Sequence, residues 1–105
     1  MKISEWAFHP GTPETENRCA QYPTYTAEVL FGTHDSKGRA LGCRLDIEVR
    51  GSAHYTGVQA QRDSKTFGAS FPMMLRCETL EEAKASLLKR AEQSRKRALK
   101  NAVGL

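Results

Sequence analysis

No stretch of this chain is apolar for long enough to cross a bilayer as a helix, which takes about 20 consecutive apolar residues. The opening MKISEWAFHPG lacks the apolar block of a secretory leader, so a cytoplasmic location is expected. Cysteine is scarce. Cys19, Cys43 and Cys77 are odd in number, and their spacing matches neither a disulfide framework nor a zinc pair, which points to reduced thiols. The three histidines, His9, His34 and His54, lie far apart, whereas metal ligands come in close pairs, so neither a metal nor a cofactor is expected. There is no glycine-rich phosphate loop, and Gly68-Ala69-Ser70-Phe71-Pro72 lacks the second glycine of a nucleophile elbow. These absences remove the motif-bearing enzyme classes, and no residue is assigned a catalytic role. Chemistry would require the fold to gather His34, His54 or Cys77 into one cleft.

What is present is a composition for one core. Of 105 residues 39% are hydrophobic and 27% charged, which is polar for a globular protein but far from a disordered composition. The net charge of +4 conceals a segregation: residues 1–88 carry ten Lys and Arg against eleven acids, while residues 89–105 carry six against Glu92 alone. The excess positive charge is all C-terminal.

The clearest element is also C-terminal. Residues 78–105 read as one helix, opened by a capping box in which Thr79 accepts from first-turn amides and Glu82 reaches back to the Thr79 amide. Leu80, Ala83, Leu87, Ala91, Ser94 and Ala98 recur at three- and four-residue spacing, so they share one face, with Leu88 on its flank. That face is bulky first and small later, so the second half is expected to be held more weakly. Lys89, Lys96 and Lys100 point away from it, Arg90 and Arg97 project from one side, and Gly104 is the expected stop.

The chain ahead of the helix alternates. Residues 24–31 place Tyr25, Ala27, Val29 and Phe31 on one face. Residues 41–50 place Leu41, Cys43, Leu45, Ile47 and Val49 against Arg44, Asp46, Glu48 and Arg50. Residues 54–62 read as a third strand with Val58 and Ala60 inward, and residues 66–71 as a fourth, ended by Pro72. Met73, Met74 and Leu75 are expected to plug the core edge. Residues 1–23 form an N-terminal segment, mostly loop, with Ile3 on one parity of a short edge strand and Trp6 and Phe8 on the other. The expected fold is α+β: a four-stranded antiparallel β-meander in 24–105, followed by one long C-terminal α-helix packed on one face. Asp-Ser-Lys occurs twice, at 35–37 and 63–65, in turn positions. A meander puts both of these tips at one end. The helix starts at the other end and returns, delivering its cations to them.

The function expected is therefore that of a small non-enzymatic protein binding nucleic acid or a nucleoprotein complex. The candidate residues are Lys89, Arg90, Arg95, Lys96, Arg97 and Lys100 with the tip residues Lys37, Arg39, Arg62 and Lys65, since clustered cations release counterions from a phosphate backbone. Trp6 or Tyr55 would add stacking on unpaired bases. The helix dipole alone also selects acids such as Glu78, Glu81 and Glu82 first and cations last. The alternative is a protein-interaction module or inhibitor that docks on an acidic or nucleoprotein partner through Trp6 and the helix end. The small residues Ala91, Ser94, Ala98 and Ala102, with Leu99, Val103 and Leu105, would permit a homodimer or docking surface. No membrane role is expected, because the apolar face dwindles where the positive charge begins.

The element order over about residues 24–100 resembles that of Whirly and Pur-type folds, likewise four strands followed by a helix, and the resemblance implies single-stranded nucleic acid as ligand. It is also similar to the sheet-plus-helix layout of small phage and plasmid proteins that block bacterial defence complexes, which implies an inhibitor.

Overall fold

The computed structural model describes residues 1–12, 22–66 and 75–103. Three long strands carry the sheet: β3 (Thr24–His34), β4 (Ala40–Arg50) and β5 (Ala53–Arg62). Alternation makes each of them two-sided. The register Ala27↔Leu45↔Val58 aligns one face and Thr26↔Asp46↔Gly57 the other. On the first face Ala27, Val29, Phe31, Cys43, Leu45 and Ile47 are buried, as the pattern predicted.

The sheet is wider than four strands. Short pieces β1 (Lys2–Ile3) and β2 (Ala7–His9) both pair antiparallel with β3, so the N-terminal segment joins the same sheet. Ser4 bridges them: its amide donates to the Glu28 carbonyl at 2.9 Å and its hydroxyl accepts from the Glu28 amide at 2.8 Å. Because this interrupts the strand, Ile3 (opposite Val29) and Phe8 (opposite Tyr25) fall on the same face, not on opposite ones as expected. On the other edge β5 pairs with β6 (Lys65–Thr66) and, further back, with β7 (Leu75–Cys77). Residues 67–71 of the expected fourth strand, Pro72, Met73 and Met74 lie outside the described residues. Leu75 does not plug the core; it is an edge-strand residue, 43% exposed.

Helix α1 (Leu80–Val103) packs on the buried face through Ala83, Leu87 and Ala91, each fully buried. Thr79 Oγ1 accepts from the Glu82 amide at 3.1 Å, the expected cap. The return bond goes one residue earlier than expected, from the Glu78 amide to Glu82 Oε2 at 3.2 Å. Arg90 reaches β5 while Arg95 reaches Phe31 on β3, so the axis runs diagonally away from the end of β5. Ala60 is therefore left exposed, although it shares the inward parity of Val58. Thr56 takes the fully buried position that Ala60 was expected to help fill.

Near its end β3 carries extra length. Pairing steps from Leu30↔Gly42 to His34↔Ala40, so residues 31–33 face Leu41 alone, and Gly32 turns to φ 80° within this bulge. Beside it Gly42 is buried, and an added Cβ would collide with the Val29 backbone oxygen. Gly42→Ala is expected to destabilise the fold by roughly 1–3 kcal/mol, the usual range for overpacking, read as a lower urea midpoint. Thr79→Ala should cost about 1 kcal/mol through the lost cap.

Candidate functional site

The two Asp-Ser-Lys turns meet. In the second, Asp63 and Ser64 adopt φ 50° and 62°, the left-handed pair of a tight two-residue hairpin. Asp63 is held there by the neighbouring hairpin: its amide donates to the Ala40 carbonyl at 2.8 Å, and its Oδ1 accepts from the Ala40 amide at 2.8 Å. In the first turn the Asp35 carboxylate accepts from the Lys37 and Arg39 amides, each at 2.9 Å, and from Arg39 Nε at 2.7 Å. Arg62 Nε, from the other hairpin, approaches the same carboxylate at 3.8 Å. The same tripeptide thus does two different jobs: Asp63 continues the ladder between the tips, and Asp35 gathers arginines from both.

The helix arrives at this end. It starts beyond Cys77, which pairs with His54 near the opposite end of β5. By Arg95 it has reached the β3 bulge, where Arg95 Nε donates to the Phe31 carbonyl at 3.4 Å and Nη1 meets Glu92 at 3.3 Å. Lys96 and Arg97, within the next turn, and Lys100, just over one turn on, are exposed, as are Lys37 and Lys65 at the tips. Lys37, Arg39, Arg62 and Lys65 therefore share the end toward which the cationic half of α1 runs.

Arg90 is placed differently. Its Nη1 donates to Thr56 Oγ1 at 2.9 Å, and that hydroxyl in turn donates to the Leu75 carbonyl at 3.1 Å, so Arg90 ties the helix to β5 and β7. Burial lowers its pKa against an opposing pull from Cys77, but a guanidinium stays charged throughout. Sequence reasoning missed Thr56, whose burial depends on these partners. Lys89 remains exposed on the outer side of the helix.

Neither candidate stacking residue lies at the tips. Trp6 is half-buried against the core with the Lys84 ammonium 5.6 Å from its ring. Tyr55 lies on the face that α1 does not cover, beside Glu48 and Arg76 in register, with the Arg50 guanidinium 5.2 Å from its ring and 4.8 Å from that of Tyr22. Charges on that face satisfy one another, Arg44 with Asp46 at 2.9 Å and Arg50 with Glu48 at 3.3 Å. Burial pushes the Asp46 carboxyl up, against the pull of Arg44.

His54 and Cys77 are direct cross-strand partners, and the His54 Nδ1 is buried without a hydrogen-bond partner. His34 is exposed at the other end of the sheet. Burial pushes the Cys43 thiol up to about 11, the environment of an inert core cysteine. Among the described residues no cluster of three or more His, Cys, Asp or Glu is placed to hold a metal, and no helix is long and apolar enough to cross a membrane. The helix face expected to meet a second copy is taken by the chain's own sheet: Ala91 is buried there and Ala98 packs on the core. The side chains of Ala102, Val103 and Leu105 lie outside the described residues.

Hydrogen bonds from the Arg39 amide, the Arg39 side chain and the Lys37 amide hold the Asp35 carboxyl below its ordinary value, outweighing burial. A carboxyl so depressed in the folded state adds stability above its unfolded value and loses it as pH falls through the folded value. Asp35→Asn is thus expected to be less stable than wild type at neutral pH, and the gap should close in acid, as read from melting temperatures across pH. No family model, curated protein or solved structure matches this chain.

Proposed function

We propose that this protein is a non-enzymatic nucleic-acid or nucleoprotein-binding protein that engages phosphate through the hairpin tips and the cationic half of α1. One observation carries the reading: Lys37, Arg39, Arg62 and Lys65 lie together at the end reached by Arg95 and, beyond it, Lys96, Arg97 and Lys100. Asp35 fixes the Arg39 guanidinium by a hydrogen bond at 2.7 Å and lies 3.8 Å from that of Arg62, while the two arginines stay 39% and 38% exposed. Positioned cations lose little side-chain freedom when they meet phosphate. Against these stand few acids: Asp35 and Asp63 at the tips and Glu92 on the distal half of the helix.

A second reading has its own support. Met1, Ile3, Phe8 and Leu30 are all large, apolar and exposed around the N-terminal edge, which favours a protein partner there. The partner would be acidic or a nucleoprotein, with Trp6 and the helix end contributing.

Fluorescence anisotropy with a mixed set of labelled oligonucleotides is expected to show binding at low salt that weakens as salt rises. Lys37→Glu with Lys65→Glu should weaken it at least tenfold. If no oligonucleotide binds at low salt, the nucleic-acid reading fails. A protein partner retained after nuclease digestion, and lost in Phe8→Ser, would install the second reading in its place.

A further inference from the structure

Single-strand binders set aromatic side chains among their cations so that unpaired bases can stack. Here the two are kept apart. Among the described residues the aromatics are committed elsewhere: Trp6 lies against the core under Lys84, and Phe8 and Tyr25 pack against each other with rings tilted by 49° and centroids 4.8 Å apart. Phe31 is buried, and Tyr22 and Tyr55 flank Arg50, Tyr55 lying on the face away from α1. The described part of the cationic helix has no aromatic residue at all.

The helix offers a line of point charges instead. Relative to fully buried Leu87, Lys89, Lys96 and Lys100 sit about 180–220° around the axis, directly outward, and all three are exposed. They are spaced about 10 Å and 6 Å along a rod braced by the sheet. No carboxylate stands on this line after Glu82, and Glu92 is turned aside to Arg95. Point charges at fixed spacing, with no aromatic residue along the described helix to stack a base, favour the ligand that brings the most phosphate on a stiff frame. Duplex nucleic acid carries one charge per about 1.7 Å of its axis.

We infer that the ligand is double-stranded nucleic acid, held by its phosphates along the Lys89–Lys96–Lys100 line without readout of base sequence. This rests on the nucleic-acid reading above and narrows it. It also departs from the single-strand expectation that the element order implied.

The test uses the full chain with two probes, a DNA duplex of about 20 base pairs and one of its strands, titrated by anisotropy over a salt series. The duplex is expected to bind at least tenfold tighter, with equal affinity for a scrambled duplex. The triple variant Lys89→Gln, Lys96→Gln, Lys100→Gln should keep the wild-type melting temperature and lower the slope of log K against log salt by about 2.7, at about 0.9 per phosphate contact. Tyr55→Ala should change nothing. Equal or tighter binding of the single strand, an unchanged slope in the triple variant, or loss of binding in Tyr55→Ala overturns the duplex assignment while leaving nucleic-acid binding in place. Failure of wild type to bind either probe overturns both.

Discussion

Leu87 fastens this molecule. It is the largest side chain that α1 buries completely, and it enters between Ala83 and Ala91, whose small size brings the helix down onto Val29, Cys43, Leu45 and Ile47. Burying one leucine contributes about 1.5–3 kcal/mol, so a helix with so narrow an apolar stripe needs further attachment. It gets this from arginine. Arg90 on one flank reaches Thr56, and Arg95 on the other reaches the Phe31 carbonyl, which belongs to the bulged stretch where β3 leaves its ladder. Two of the helix's six C-terminal cations therefore also anchor it, and the rest keep their charge in solvent.

This division changes how the charge segregation is understood. A run of lysine and arginine at a helix end offsets the dipole wherever it occurs. Here the diagonal path and the joined hairpins carry that run to an end already rich in cations. Because α1 covers only one face, the opposite face of the sheet stays polar and self-paired, with Arg44 meeting Asp46 and Arg50 meeting Glu48.

Much of the architecture was legible because the chemistry of the two faces differs sharply at each alternate residue. From Leu41 to Arg50 the pattern assigns each side chain its side, and the structure agrees. The helix face and its cap were legible for the same reason, their periods and hydroxyl being local signals. What was hidden depended on partners distant in sequence. Strands of two or three residues such as Lys2–Ile3 and Ala7–His9 have no period of their own and exist through pairing to β3. Thr56 shares the inward parity of Val58 but was not singled out, since nothing nearby announces Arg90 or the Leu75 carbonyl. Loop lengths showed that the two turns share one end, but not that Asp35 and Asp63 would join them by different means.

The Ser4 interruption has a further effect. A sheet ends in rows of unpaired amides and carbonyls that invite another chain to add itself. Here β1, β2, β6 and β7 span only two or three residues each, and the break at Ser4 spends both backbone groups of Glu28 that a continuous edge would leave open. Among the described residues each flanking fragment is too short to present a long row of open groups, which limits how far another chain could extend the sheet along it.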